Sequence, residues 1–548
     1  MLRSVVTASR SCVKELGTRA ASSYLSGNVT RRVVALLPRL LGAATTGVLV
    51  VLAFPRYGFE VGLDGLIAVA LVPLIVASVG VGWRRGLLLG ACAGLIIEAA
   101  GFSWILFAIE SFTGMPAPLP SMLFGGWLLY ASIPWCLLGV VLGRCERDAD
   151  VYWVVPFWVG LEHAFPRLFP WHLGGALYGR LGIVQGVDLI GASGLTLIVL
   201  LANITVALSI CRSRREWRAG LARWAVCLAV LGAWLAYGAF RLPEVESELE
   251  RDLRQKNSAP MSVLLVQGAL DPALRNEKGL LIYSSRTRSA LGDGPLPDLV
   301  VWPEGAANVI FHAEPGREIL FAENRFGWAI TALRNVKAPL VTGAAAYRDG
   351  YVTCSNAAVF LSPGQKPIVY EKNRRLLFGE YVPLIDYLPA DLRRSALQHI
   401  GTIPAGTTNP VCRCGQATFR NLICYEGVLP DYVRRSADGV DFLVNVTEDI
   451  WYGQTSHTGQ HVSVLILRAV ENRISIARAA NMGPSGVIDL TGTFHASPSS
   501  FAADVVKAPL RAVHLPTTYG AGGWLAPWCA LALSAVRELR RWRRARSH

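Results

Sequence analysis

Asn421-Leu422-Ile423-Cys424-Tyr425-Glu426 is a short apolar run that delivers a thiol at its end and then turns polar. A run of this length reads as a buried strand that stops just before a helix. Two other runs in the same half of the chain behave alike. Leu299-Val300-Val301-Trp302-Pro303-Glu304 stops at a proline and offers a carboxylate, and Val369-Tyr370-Glu371-Lys372-Asn373 offers an amine where strand gives way to loop. Strand ends converge along one edge of a sheet, so three reactive groups far apart in sequence are expected in one cleft.

The segment around these runs, 261–516, is of mixed composition. Short β-branched runs at 262–266, 299–302, 340–342, 357–361, 368–370, 421–424, 442–446, 474–478 and 486–489 alternate with helical stretches such as 317–335 and 461–472. Strands interleaved with helices predict an α/β or layered α+β domain, and about 250 residues suffice for one large core.

The rest of the chain is different. Hydrophobic residues make up 52% of the 548 and charged residues only 17%, against roughly 25% charged in an ordinary soluble domain. That composition excludes intrinsic disorder and argues against a wholly soluble enzyme. Only eight residues between 33 and 143 are charged, and the apolar runs have about the twenty residues a bilayer core requires. Membrane helices are expected at 36–54, 62–82, 86–109, 118–142, 151–165, 187–210, 222–240 and 519–536, eight in all, with 1–32 a basic cytoplasmic leader and 243–260 a polar linker. The leader has no apolar core of its own, so the first span is expected to serve as an uncleaved signal, although a transit peptide has a similar composition. The stretch 165–186, rich in Pro, Trp and Tyr, fits an interfacial or re-entrant segment.

The net charge of +14 sits in three places. Residues 1–32 carry six basic groups and one acid, 211–224 five and one, and 537–548 six and one, which accounts for the whole excess. Short basic clusters flanking apolar runs mark cytoplasmic loops rather than a nucleic-acid groove, and no nucleic-acid partner is expected. Alternate loops then fall on the cytoplasmic side, which puts 261–516 outside the cytoplasm. Asp64, Glu98 and Glu162 lie within spans, where each needs a partner inside the bundle or a wet cavity.

Eleven cysteines without paired CxxC motifs give neither a zinc framework nor a dense disulfide scaffold. A bridge from Cys354 to Cys412 or Cys414 stays open if that part faces an oxidising space. His457 and His461 have i, i+4 spacing but no intervening HExxH carboxylate, and no metal site is expected.

Cysteine, carboxylate and lysine together form a coherent acyl-transfer set. The carboxylate takes the thiol proton, the thiolate attacks, and the ammonium steadies the oxyanion.

The strings Trp302-Pro303-Glu304, Lys372-Asn373 with Phe378-Gly379-Glu380-Tyr381-Val382-Pro383, and Ile423-Cys424-Tyr425-Glu426 resemble, in order and spacing, the Glu-Lys-Cys triad of the nitrilase superfamily. With membrane helices on both sides, the chain is similar to the apolipoprotein N-acyltransferase family. Further matching strings are Phe102-Ser103-Trp104, Gly114-Met115-Pro116, Val266-Gln267-Gly268, Asp449-Ile450-Trp451-Tyr452-Gly453, Gln460-His461, 478–483 and Ile488-Asp489. The resemblance implies an αββα sandwich on a multi-pass helical membrane domain of about eight helices. It implies Glu304 as general base, Lys372 as oxyanion-stabilising cation and Cys424 as nucleophile, with Glu380 orienting the lysine and Tyr425 and Glu426 adjoining the nucleophile.

The implied reaction takes an acyl chain from a phospholipid onto the cysteine and passes it to the α-amine of a diacylglyceryl-cysteine apolipoprotein. It runs on the outer face of a bacterial cytoplasmic membrane, in a monomer, without metal or organic cofactor. Two positions depart from the family's pattern: Asn276 stands where a tryptophan is common, and Glu448-Asp449-Ile450-Trp451 replaces Asn-Asp-Ala-Trp. The triad alone also suits a membrane-tethered amide hydrolase of nitrilase type, and the intramembrane acids would suit a transporter, which has no use for the triad.

Overall fold

The computed structural model describes residues 28–55, 63–211, 217–255, 259–307, 309–312, 336–348, 354–382, 385–387, 390, 393, 403–496 and 501–546. The expected helix at 317–335 and most of the leader lie outside these residues, as does the side chain of Asn276.

The apolar half forms helices α1 (Asn28–Ala53), α2 (Trp83–Gly101), α3 (Trp104–Thr113), α4 (Leu119–Ala131), α5 (Ile133–Gly143), α6 (Val154–Ala164), α7 (Ala192–Cys211) and α8 (Trp217–Gln255). Leu36–Ala53, Leu119–Gly143, Ala192–Cys211 and Arg218–Gln255 are long and apolar enough to cross a membrane. A fifth span exists if α2 and α3 count as one, bent by 54°. The chain is a membrane protein. The sequence reads 86–109 as one straight span, whereas the chain breaks at Gly101-Phe102-Ser103, a glycine and a serine where such kinks concentrate. The expected span at 62–82 resolves into a 3-10 turn, Asp64–Ala68, and a short helix, Val72–Ser78. The stretch 165–186 turns back into the bundle and buries Trp171, Leu173 and Tyr178.

Glycines let α2 and α5 touch backbone to backbone. A Cβ on Gly86 would lie 2.1 Å from the Gly139 carbonyl oxygen, the small-residue contact that membrane helices use in place of a hydrophobic driving force. The intramembrane acids are partnered. Asp64 pairs with Arg180 at 2.6 Å, Glu98 accepts from Trp135 Nε1 at 3.3 Å, and Glu162 accepts from Leu173 N and Thr196 Oγ1, both at 2.7 Å.

The polar stretch after residue 242 is helical. α8 continues through Pro243 to Gln255, because the glutamates, leucines and arginines beyond it are strong helix formers and Arg241 pairs with Glu244 and Glu248. Its 39 residues span about 57 Å. Arg223, near its start, pairs with Asp148, and Arg537 of the final helix, α12 (Ala526–Arg546), pairs with Asp150. The first strand begins at Met261, just past the other end of α8, so these basic clusters and the α/β half lie at opposite ends of one helix.

The α/β half holds two sheets. The first contains β1 (Met261–Gln267), β2 (Leu299–Val301), β3 (Ile310–His312), β4 (Leu340–Tyr347), β5 (Ser355–Leu361) and β6 (Ile368–Glu371). The second contains β7 (Cys412–Cys414), β8 (Ala417–Ile423), β9 (Phe442–Thr447), β10 (Ser475–Ala480), β11 (Gly486–Ile488) and β12 (Phe494–Ala496). β13 (Asp504–Leu510) returns to the first sheet. The strand orders are β13-β1-β2-β4-β5-β6, with β3 also on β4, and β12-β11-β10-β9-β8-β7. The pairs β1–β2, β2–β4, β8–β9 and β9–β10 are parallel.

Alternation along the strands builds the layers. Val263 and Leu265 face Phe419, Phe442 and Val444 of the other sheet, while Leu264 and Val266 pack on Leu280 and Tyr283 of α9 (Pro272–Leu291). On the far side, α10 (Pro430–Ala437) and α11 (His457–Asn472) cover Leu422, Leu443 and Ile476. The result is the expected helix-sheet-sheet-helix sandwich. The sequence reading missed β3, β7, β12 and β13, of which β3, β7 and β12 have three residues each.

Candidate active site

Three strand ends build the site. Cys424 follows β8 directly, with φ +49°, a left-handed conformation that costs a side-chain-bearing residue roughly 1–2 kcal/mol. Lys372 follows β6, and Glu304 follows β2 after Trp302 and Pro303. The backbone beneath Glu304 is packed against Gly343 of β4. A Cβ there would lie 2.4 Å from Glu304 Cα, so only glycine lets the carboxylate loop sit this close.

Lys372 is buried. Its Nζ donates to Glu380 Oε1 at 2.8 Å and stands 3.9 Å from Glu304 Oε1. Glu380 also accepts from Leu376 N at 2.8 Å. Burial alone would lower the lysine's pKa, but Glu380, then Glu304, hold it above the ordinary lysine range, so the cation persists at neutral pH. The Cys424 thiol is pushed up by burial and by Glu304, against the opposing pull of Lys372. It therefore rests protonated, and it becomes a thiolate only when a base takes its proton.

The sequence reading did not single out Asn356. It lies on β5 and donates Nδ2 hydrogens to Glu304 Oε1 at 2.6 Å and Glu380 Oε1 at 3.1 Å. Its carbonyl accepts from Lys372 N at 2.8 Å. One side chain thus links both carboxylates, and its backbone holds the lysine.

Glu426 sits behind the site. Its Oε2 accepts from Ile423 N at 2.8 Å and Tyr370 OH at 2.6 Å, and its Oε1 from Asn373 N at 2.8 Å and Arg374 N at 2.9 Å. It staples the Cys424 turn to the Lys372 loop, and burial raises its pKa to about 7. Tyr425 faces the cavity, with its phenol raised to about 12 by burial.

The cavity before Cys424 measures about 960 Å³ and draws walls from both halves. Ile105, Ala108, Met122 and Trp127 come from α3 and α4, and Leu376, Phe378 and Tyr381 from the loop after Lys372. Met122 and Leu123 are exposed, so this wall continues onto the outer apolar face of α4. The kink between α2 and α3 docks on α11: Trp104 Nε1 donates to Gln460 Oε1 and Gln460 Nε2 to the Gly101 carbonyl, both at 2.9 Å.

Asp449, His457 and His461 bring three ligand-type atoms within 4.8 Å of one another. The set does not suit a cation, because Arg478 Nη2 already holds Asp449 Oδ2 at 2.5 Å. Cys354, Cys412 and Cys414 all carry free thiols. Cys412 and Cys414 are buried on β7, and Cys414 Sγ meets the Asp298 carbonyl at 3.1 Å.

The profile described as Apolipoprotein N-acyltransferase N-terminal domain matches residues 46–205, and Carbon-nitrogen hydrolase matches residues 296–515. An apolipoprotein N-acyltransferase of Geobacter metallireducens is 31% identical over 93% of this chain and 96% of its own length. Relatives of that name in Leptospira interrogans and Brucella melitensis are 26% and 27% identical, over 82% and 89% of this chain and 87% and 92% of theirs. The chain belongs to the apolipoprotein N-acyltransferase family.

Proposed function

We propose that this chain moves an acyl chain from a membrane phospholipid to the N-terminal α-amine of a diacylglyceryl-cysteine apolipoprotein through a thioester on Cys424. Glu304 takes the Cys424 proton as sulfur attacks the ester carbonyl, and Lys372 stabilises the oxyanion. The carbon–oxygen bond breaks, and the lysophospholipid leaves with the proton from Glu304. The acceptor amine then gives its proton to Glu304 as it attacks the thioester. The carbon–sulfur bond breaks as the amide forms, and the sulfur takes the proton from Glu304, which regenerates the thiol and the carboxylate. Glu380 orients Lys372 and keeps it charged. Glu426 acts at one remove by fixing the two loops, and Tyr425 forms part of the wall.

One observation carries this reading: the cavity before Cys424 is walled by membrane helices as well as by the α/β domain. A donor with lipid chains enters such a space sideways, and water competes poorly there with an amine. The distribution of basic clusters supports an outward-facing catalytic domain on the bacterial cytoplasmic membrane. The reaction needs one chain and no cofactor.

The test is transfer of a labelled acyl chain to a diacylglyceryl-cysteine lipopeptide in membranes carrying Glu304→Gln, Lys372→Met or Cys424→Ser. Each variant is expected to lose transfer by at least about 1,000-fold. Retained transfer in Cys424→Ser would refute the thioester route.

A further inference from the structure

Three strings that mark the family in this sequence play no part in the chemistry above, namely those containing Asp449, His461 and Arg478. In the fold they form one buried network beneath the nucleophile. Arg478, on β10, has no exposed surface and uses all three of its donor nitrogens. Nη1 donates to Asn445 Oδ1 at 2.9 Å, Nη2 to Asp449 Oδ2 at 2.5 Å and Nε to the Pro484 carbonyl at 3.1 Å.

One arm leads back to Cys424 and the other to the cavity wall that Cys424 shares with His461. Through Asn445, Nδ2 hydrogens reach the carbonyls of Leu422 at 3.3 Å and Cys424 at 3.5 Å, on either side of the strand end. Through Asp449, Oδ1 meets His461 Nδ1 at 3.2 Å, and His461 lines the cavity together with Cys424. Thr447 Oγ1 also reaches Asp449 Oδ1 at 3.2 Å. Burial alone would raise the Asp449 carboxyl, but Arg478 and His461 hold it below the ordinary range, so the anion that fixes the imidazole is permanent.

Such an arrangement has a clear physical use. A residue at φ +49° relaxes towards ordinary backbone unless its surroundings over-determine it. The direction of the Cα–Cβ bond, and hence of the sulfur, depends on that conformation. We propose that Arg478, Asp449, Asn445 and His461 are positioning residues that hold the backbone around Cys424 and so aim its thiol at the Glu304–Lys372 pair. The inference rests on Cys424 being the nucleophile. It adds that a buried arginine, one strand beyond the neighbour of the cysteine's own strand, sets the rate of acylation without touching substrate.

The experiment measures single-turnover acylation of the full-length enzyme by phospholipid, with half-saturating donor concentration and melting temperature, for Asp449→Asn, His461→Asn and Arg478→Lys. The expected result is an acylation rate lower by on the order of 10- to 100-fold with half-saturation within about twofold. Arg478→Lys, which keeps the charge but loses the fork, is expected to retain more activity than Arg478→Met. Asp449→Asn/His461→Asn should be no slower than the slower single variant, because both break one chain. Should an Arg478 variant fail to fold, Asn445→Ser tests the other arm with the Arg478–Asp449 pair intact. Folded variants acylating within threefold of the native rate, or losses that multiply in the double variant, overturn the inference. Cys424→Ser separates the two claims: if it still transfers, the reading of the nucleophile fails; if it is inactive while Asp449→Asn is unaffected, only the positioning role fails.

Discussion

Asn356 donates its Nδ2 hydrogen to Glu304 Oε1 at 2.6 Å, so the carboxylate proposed as base is held by a neutral side chain on β5, with β4 lying between that strand and β2. Removing that donor frees the carboxylate without changing its charge. Asn356→Ala is expected to slow acylation of Cys424 by roughly 10-fold or more. Asn356→Asp is expected to be slower still, because it puts a third carboxylate beside Glu304 and Glu380. Single-turnover acylation measured side by side checks the order.

Gly343 gives a sharper geometric test. A Cβ there meets Glu304 Cα at 2.4 Å and Gly305 N at 2.4 Å, which is backbone and cannot step aside like a flexible side chain. Gly343→Ala should push the base away from the thiol and cost on the order of 100-fold in acylation, while leaving the Lys372–Glu380 pair in place.

The pH dependence of stability follows from Glu426. Its carboxyl rises from an ordinary 4.5 to about 7, chiefly through burial, so the folded protein keeps a proton that the unfolded chain releases. Stability therefore falls as pH rises through the window from about 4.5 to about 7 and levels off above it. Glu426→Gln should flatten that slope in a melting series. It should also lower the melting temperature throughout, since the amide nitrogen replaces one of the two oxygens and cannot accept either the bond from Ile423 N at Oε2 or those from Asn373 N and Arg374 N at Oε1.

In the membrane half, Gly86→Val should destabilise the bundle without touching the chemistry. The added carbon would lie 2.1 Å from the Gly139 carbonyl, and overpacking of this kind costs roughly 1–3 kcal/mol or more. Yield of folded protein in detergent should drop, while the specific activity of the surviving fraction should stay near native.

The sequence showed the strand-end groups because Glu304, Lys372 and Cys424 each follow an apolar run, and the resemblance added Glu380. Asn356 went unnoticed because a polar residue near the start of a strand is unremarkable in a linear pattern. Asn445 and Arg478 did carry a signal: each is a polar residue inside a strand whose neighbours are all buried, and a buried polar group must be partnered. Glu426 adjoins the cysteine in sequence, yet its hydrogen bonds show it tying backbone together. The kink at Gly101-Phe102-Ser103 was hidden because hydropathy records length and not direction, so two helices read as one span.

The most direct measurement is the mass of the Cys424 peptide after the membrane-embedded enzyme meets phospholipid with isotopically labelled acyl chains, before and after a diacylglyceryl-cysteine lipopeptide is added. A labelled acyl adduct on Cys424 that disappears on addition, with the label recovered in the lipopeptide amide, is the predicted result. Transfer without an adduct on that cysteine, or an adduct released to water at the same rate with and without the lipopeptide, would contradict it.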